Sequence, residues 1–482
     1  MRLAKIEIKD FRAFPGPGTY AFDLGGKNLL VYGENGSGKS SLFRALVEFF
    51  NLDSRAKPFA DYKHIFSDPG LTDGHITVHF DDGQTPAYWR FGDTRPTNEA
   101  RVAETALRKG CLDYRALLRT NFLHGAGSVN LFDLVIEELL ANYPLVSVGP
   151  TATISKLWQE VLDSLPETHR RRHLERINDA VTRFNQAVDP VWPELQTKAE
   201  AILKAFPGCG VSLQFDFPGV TYNIQERQLT QKHLHLAVDL NGKRVLEHQH
   251  FLNEARLSAI ALSLYFAGLL ISIPPTVPGA PAYPKILALD DVLIGLDMSN
   301  RMPVLDILRE HFPDWQTILL TYDKVWYEIV RMQTEASRDW LYHELYLGTA
   351  PEGFDVPVHR GHGEGWPHLL ARARQHLAAH DERAAAVYAR AAFESKLQRY
   401  CEDKRVPVRY HPDPRRIEAE WFWQAVKRKA QSDGRTAALQ AMFSRIETFR
   451  KVVLNPLSHA TPTTVVRAEI EGAIDAVDAL HL

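Results

Sequence analysis

Sulfur is scarce in this 482-residue chain: three cysteines, Cys111, Cys209 and Cys401, stand far apart with no CxxC pair. That excludes a disulfide framework and fits a reducing cytosol. No run of about 18 apolar residues is present, so no membrane span and no membrane partner are expected. The opening Met1-Arg-Leu-Ala-Lys5 lacks the apolar core of a signal peptide, and the expected location is cytoplasmic. Charge of one sign is lacking as well. Lys and Arg number 56 against 59 Asp and Glu, a net −3, which excludes a whole-chain polycation. From Gly365 onward, however, 19 basic residues face 14 acidic ones, a balance of +5 on a body at −8. A mildly basic C-terminal region fits contact with RNA or DNA and fits a solvated helical surface equally well. A hydrophobic share of 45% and a charged share of 24% are ordinary for a soluble globular protein with ample core. No internal repeat is visible.

What the chain does have is Gly33-Glu34-Asn35-Gly36-Ser37-Gly38-Lys39-Ser40, directly after the apolar run Asn28–Tyr32 and directly before the helical pattern Ser41–Phe50. This is GxxxxGKS in strand–loop–helix context, the context a phosphate loop requires. Glycines let backbone N–H groups curl round a triphosphate, Lys39 reaches the outer phosphates, and Ser40 offers its hydroxyl to Mg²⁺. The following helix points its positive end at the anion. Residues 33–41, Ser41 included, are therefore candidate contacts for ATP, with Mg²⁺ as its partner ion.

Around this loop the pattern predicts a short edge strand at Leu3–Ile8, a return strand ending at Tyr32, and a hairpin of Ile76–Phe80 with Ala87–Phe91. Helical spacing dominates from Glu99 to Tyr143. A helical insertion of two or three helices is predicted over about 150–206, interrupted at Leu165-Pro166 and Pro190. Two arms of about 25 residues would reach only about 37 Å, a stub rather than a long coiled coil. Strands are expected at Val211–Phe217 and at His233–Leu240 with Lys243–Glu247, where Asn241-Gly242 suits a type I′ turn. His233, His235, His248 and His250 straddle that hairpin; i, i+2 pairs share a strand face, but no acidic or cysteine partner has metal-ligand spacing. Asn253–Leu270 reads as a long amphipathic helix. Gly348–Trp366, rich in Pro and Gly, reads as a linker at 348–366. It separates residues 1–347 from an all-helical region, 367–482, in which Ala371–Lys404 reads as one long helix.

A second half of the nucleotide site is carried by Ile286-Leu-Ala-Leu-Asp290-Asp291, an apolar strand ending in two carboxylates. A buried parallel strand that delivers an acid at its C-terminal end is where a phosphate-loop enzyme holds Mg²⁺. Asp290 is assigned to the metal and Asp291 to the base that orients attacking water.

On these residues the chain resembles an ABC-type ATPase head of the SMC/RecF class over roughly residues 1–345. Phe11-Arg-Ala-Phe14 resembles the N-terminal motif of that class. Leu252-Asn-Glu-Ala-Arg256 with the helix after it resembles the signature motif, Gly295-Leu-Asp-Met298 the D-loop, and Thr321-Tyr-Asp323 the switch-histidine segment. The resemblance implies an α/β head with a mixed sheet, an antiparallel lobe and a helical insertion. It also implies nucleotide contacts from Asn253, Asp297 and Tyr322, and a homodimer or higher oligomer in which the signature motif reaches the other subunit's triphosphate. Three departures stand out. Asn253, Glu254 and Ala255 replace the signature Ser and glycines, Tyr322 replaces the switch histidine, and Asp291 replaces a glutamate. Glu254 near a triphosphate is repulsive unless it points away or pairs with Arg256. A base must come within about 3 Å of its water, so the shorter Asp291 implies slow turnover, suited to a timer or sensor. Similar signatures and Asp-Asp strand ends occur in ATPases of bacterial anti-phage systems.

The C-terminal region resembles a HEPN-type helical domain, similar to the nuclease part of the PrrC and RloC anticodon nucleases. Arg390-Ala-Ala-Phe-Glu394 sets Arg and Glu on one helix face, and His459 follows Asn455-Pro456 past a later helix. The resemblance implies that Arg390, Glu394 and His459 cut RNA, tRNA above all, by attack of the 2′-OH on the adjacent phosphate. A histidine with pKa of about 6.5 serves as acid or base there, and arginine stabilises the developing charge. Trp421, Trp423, Arg415-Arg416 and Lys427-Arg-Lys429 are candidates for stacking and phosphate contacts. The bland alternative makes Arg390–Glu394 an ordinary helix ion pair and the two tryptophans core. The implied function is an ATP-gated ribonuclease effector with a phage-encoded trigger. An ATPase sensor or scaffold that recruits or restrains a separate effector, and a RecF-like DNA-repair ATPase, remain open alternatives.

Overall fold

The structure, a computed structural model, describes all residues except 17, 52–56, 122–129, 150–151, 166–170, 246, 275–278, 280, 294, 363–364, 410–418, 450–466 and 481–482. The chain divides into two compact units, Met1–Arg360 and Gly361–Leu482.

In the first unit, β1 (Leu3–Lys9), β2 (Tyr20–Asp23), β4 (His75–Phe80) and β5 (Ala87–Arg90) form an antiparallel sheet in the order β2-β1-β4-β5. The expected edge strand β1 is thus an inner strand, paired on both sides, with Leu3, Ile6 and Ile8 fully buried.

A six-stranded sheet lies beside it, in the order β15-β14-β3-β13-β12-β6. Its strands are β3 (Asn28–Gly33), β6 (Lys109–Asp113), β12 (Ile286–Asp290), β13 (Gln316–Thr321), β14 (Trp340–Thr349) and β15 (Asp355–His362). Strands β6, β12, β13, β3 and β14 run parallel. Every residue of β12 and β13 is buried, as a central parallel strand covered on both faces demands. The faces alternate cleanly. Leu29, Val31, Ile318 and Leu320 join the core under α1 (Lys39–Phe49) and the antiparallel sheet, whereas Leu30, Leu287, Leu289 and Leu319 join a larger core on the other side.

Two of these strands correct the sequence reading. β6 lies inside Glu99–Tyr143, between α2 (Ala100–Leu107) and α3 (Tyr114–Asn121), and β15 lies inside the stretch expected to be a linker. β15 follows β14 through a turn closed by the Ala350 N–H to Phe354 O at 2.8 Å.

The insertion holds α4 (Ile154–Ser164), α5 (Arg171–Val188) and α6 (Val191–Leu203). Among the described residues they pack onto the body of the unit. Trp158, Phe184 and Trp192 are buried in the larger core with Phe132, and α6 packs along α8 (Glu254–Ile271). By length and composition α8 is apolar enough to cross a membrane, but most of it is buried in this core. Residues on all its faces are buried, so it is a core helix and not the amphipathic one expected.

β7 (Val211–Asp216), β10 (His235–Leu240) and β11 (Lys243–Val245) form a small antiparallel sheet, and β8 (Thr221–Asn223) pairs with β9 (Gln228–Thr230). Asn241 and Gly242 have φ of +51° and +79°, the double left-handed turn that an Asn-Gly pair accommodates. The short α7 (His248–Phe251) precedes α8; α9 (Met298–His311) and α10 (Lys324–Thr334) complete the unit.

In the second unit, α11 (Gly365–Ala378), α12 (Glu382–Asp403), α13 (Ala419–Ser432), α14 (Thr436–Phe449) and a closing helix, Arg467–Asp478, share one core. The single helix expected over Ala371–Lys404 is two. His380 turns left-handed at φ +60°, and the Asp381 carboxylate accepts the Ala384 N–H at 2.9 Å to start α12. Ala385, Ala389 and Ala392 are fully buried, which lets α11 approach α12 closely.

Candidate nucleotide and metal site

The loop between β3 and α1 holds its shape through its glycines and one lysine. Gly36 and Gly38 have φ of +85° and +97°, and Gly38 caps α1. A Cβ on Gly33 would collide with the Ser37 hydroxyl and with Lys39 Cγ. The Lys39 side chain is 5% exposed; its Nζ donates to Gly33 O at 2.7 Å and Glu34 O at 3.2 Å. Burial lowers the Lys39 pKa, opposed by Asp291 and Asp290. Ser37 Oγ is buried with no hydrogen-bond partner, and Ser41 Oγ accepts the Ala13 N–H at 3.3 Å.

Asp290 ends β12 beside this loop. It is 4% exposed, and its Oδ1 is buried with no hydrogen-bond partner. Burial pushes its carboxyl up to about 6; the Ser40 hydroxyl works the other way, and the Asp291 charge adds to the rise. Asp291 follows in a left-handed conformation, φ +53°. Its Oδ2 lies 3.8 Å from Lys39 Nζ and its Oδ1 accepts the Tyr322 N–H at 2.9 Å. Burial raises its pKa too, opposed by Lys39.

These residues wall a cavity of about 740 Å³, with Glu34, Asn35, Gly36, Gly38, Lys39, Ser40 and Ser41 on one side and Asp290, Asp291 and Tyr322 on another. The donor set fits a magnesium triphosphate: an ammonium resting on backbone carbonyls, two hydroxyls, and an unpartnered buried carboxylate oxygen of the kind a hard cation takes. Arg12, read in the sequence as part of the N-terminal motif but not as a site residue, also lines the cavity, as do Arg44, Asp113, Tyr114 and Arg115, which were given no site role. Asp113 stands opposite Asp290 in the β6–β12 register, so it was out of reach once β6 was read as helix.

Asn253 and Asp297 do not line this cavity. Asn253 caps α8, its Oδ1 accepting the Arg256 N–H at 3.0 Å. Arg256 donates to Cys209 O and Gly208 O, and no ion pair joins it to exposed Glu254 among the described residues. Glu254 instead sits in the first turn of α8, where the helix dipole favours an anion. Asp297 caps α9; hydrogen bonds from Ser299 and Asn300 hold its carboxyl below the usual range. A Cβ on Gly295 would lie 2.6 Å from Ser258 Oγ, so the segment before α9 packs tightly on α8.

The four histidines form no metal centre. The His233 and His235 rings stack at 5.7 Å, His248 is buried with its pKa lowered by that burial, and no metal-holding group of three His, Cys, Asp or Glu occurs among the described residues.

In the second unit Arg390 Nε meets Glu394 Oε1 at 2.9 Å, each side chain about one-third exposed. His459 lies outside the described residues, as do Arg415, Arg416 and Asn455. Trp423 is no stacking platform: it is fully buried and donates to Glu447 Oε1 at 3.3 Å, the atom that also takes Lys427 Nζ at 2.5 Å. Lys429 pairs with Asp433 at 2.8 Å, and Arg409 lies over the Trp421 ring at 4.8 Å.

Residues 5–103 match the family model of an AAA domain. No curated protein matches the chain. Among the solved structures similar to this chain are three at 15% identity. They are an Smc head domain with an extended coiled coil bound to the C-terminal domain of ScpA, from Pyrococcus furiosus (75% of this chain, 96% of that one, TM-score 0.43); an Smc head bound to the C-terminal winged-helix domain of ScpA (76% and 99%, TM-score 0.40); and an SMC head domain from Thermotoga maritima (75% and 100%, TM-score 0.35). At these values the likeness carries no functional inference.

Proposed function

We propose that this chain is a Mg²⁺-dependent ATPase of slow turnover whose nucleotide state gates RNA cleavage by its C-terminal helical unit. The observation that carries the reading is the meeting of Lys39 with Asp290 and Asp291 in one cavity, with Asp290 Oδ1 buried and unpartnered. Lys39 is the donor for the outer phosphates. Ser40 and Asp290 are the residues to hold Mg²⁺, which would neutralise charge on phosphate oxygens. Asp291, held by the Tyr322 N–H, is the base that orients water; its short side chain limits the rate. Asn253 and Asp297 stand apart from their own subunit's cavity, which supports a homodimer or higher oligomer in which each subunit completes the other's site. Arg390 and Glu394, already paired on one face, are the C-terminal half of the proposed ribonuclease, with His459 as acid or base and tRNA as the substrate class. A cytoplasmic anti-phage role with a phage-encoded trigger completes the proposal.

A second reading is favoured by one observation: Trp423 and Lys427, offered for RNA, are both engaged with Glu447. A unit so occupied suits a scaffold that recruits or restrains a separate effector. Incubation of the purified protein and ATP with total RNA, followed by mapping of cut ends, separates the two. Cutting lost in both Lys39→Ala and His459→Ala supports the nuclease; cutting lost only in Lys39→Ala leaves the tail as a docking module.

A further inference from the structure

The only covalent route from the nucleotide loop's unit to the helical unit is β15, and β15 touches the loop. Three glycines of the phosphate loop abut the β14–β15 ribbon. A Cβ on Gly33 would lie 3.0 Å from Leu345 O, one on Gly36 3.8 Å from Leu347 Cδ1, and one on Gly38 2.9 Å from Pro357 Cγ. The two strands differ in how firmly they are held. β14 runs parallel to β3 over the register Trp340↔Asn28 to Leu345↔Gly33 and is fixed to the centre of the sheet. β15 is the last strand in the sheet and, among the described residues, is paired only to β14. Proline, with no N–H to give a ladder, is at home on such an edge.

The face of β15 turned toward the loop carries Pro357 and, two residues on, His359. The His359 ring packs 4.5 Å from Phe22, and its Nε2 lies 2.9 Å from His343 Nδ1 of β14. Val358, on the opposite face, is exposed. β15 is therefore seated at two points along one face: the Gly38 backbone and the Phe22–His343 pocket. Gly38 caps the helix whose positive end faces an anion, and it directly precedes Lys39, whose ammonium rests on the Gly33 and Glu34 carbonyls.

Resting on the proposed nucleotide site, we infer that β15 is a relay: occupancy of the phosphate loop shifts Pro357 through Gly38 and so changes the strand that leads into Gly365–Ala378 of the helical unit. A ligand moves such an equilibrium only by its differential contact with the two states; here that contact is with the phosphate loop, and the Gly38–Pro357 packing passes it to β15.

The test uses the full-length protein with Mg²⁺ and AMP-PNP as the probe, read by calorimetry and by amide hydrogen exchange. In the wild type, binding is expected to alter exchange both in Asp355–His362 and in Gly365–Ala378. Pro357→Gly, and Pro357→Ala should the glycine variant melt early, is expected to bind the analogue yet lose the change in Gly365–Ala378. Val358→Ala is expected to keep it. The relay is overturned if Pro357 variants retain the full change, or if the wild type binds the analogue with β15 and Gly365–Ala378 unaltered. Absence of binding in the wild type overturns the nucleotide site itself, an outcome the calorimetry reports separately.

Discussion

The Tyr322 backbone N–H donates to Asp291 Oδ1 at 2.9 Å, tying the residue after β13 to the residue after β12. The bond belongs to the backbone, so it survives the replacement of the expected switch histidine by tyrosine. It also accounts for the left-handed Asp291, φ +53°, because a non-glycine residue stays in that region only where its surroundings hold it.

Asp291→Asn keeps the shape and the Tyr322 contact but removes the base. Turnover of ATP is expected to fall about 10²- to 10⁴-fold, while affinity for MgATP changes little. Steady-state phosphate release together with calorimetric titration checks both halves.

Asp290 ties stability to pH. Its carboxyl is pushed up to about 6 in the folded protein against 3.8 for the free group, so between those values the folded state binds more protons than the unfolded one. Stability from this residue is fully present below about pH 4 and is lost as pH rises through about 6. The cost of the ionised form at neutral pH is on the order of 3 kcal/mol. Without Mg²⁺, Asp290→Asn is therefore expected to be more stable than the wild type at pH 7.5 and to lose that advantage at pH 4. Urea unfolding at the two pH values measures it.

Arg390→Ala tests the proposed ribonuclease apart from stability. The Arg390–Glu394 pair is one-third exposed and is worth only about 0.3 kcal/mol to α12. Melting is expected to move by less than a degree or two, while the proposed RNA cleavage is abolished. Thermal unfolding and an RNA cut-end map on the same preparation give both readouts.

Trp423→Ala is expected to destabilise the helical unit by about 3–5 kcal/mol. The ring is fully buried against Phe393 and Phe443, and its loss opens a cavity there and removes one hydrogen bond to Glu447, which keeps Lys427. Unfolding of the helical unit monitored by circular dichroism checks this; a surface stacking residue would give almost no change.

The strand–loop–helix shape around Gly33–Ser40 was legible because its signal is local: a fixed spacing of glycines and a lysine between an apolar strand and a helix. Asp290 and Asp291 were legible for the same reason, as acids ending an apolar run. β6 was not, because Lys109-Gly-Cys-Leu-Asp113 is too short and mixed to show a period of two; its place at the end of the sheet beside β12 is decided by tertiary packing. β15 was hidden in a Gly- and Pro-rich stretch, where an edge strand tolerates proline. The break at His380 carries no Gly or Pro, and the one local signal was Asp381 as a helix cap. Arg12 and Arg115 reach the cavity from segments about 100 residues apart in sequence, a convergence that no spacing rule contains.

Calorimetric titration of the folded wild type and Lys39→Ala with ATP in excess Mg²⁺ tests the central claim most directly. A saturable heat and a raised melting temperature in the wild type, weakened roughly 10- to 150-fold in the variant by loss of charge-assisted hydrogen bonds, is the predicted result. No heat and no thermal shift in the wild type, or equal binding by both proteins, would contradict it.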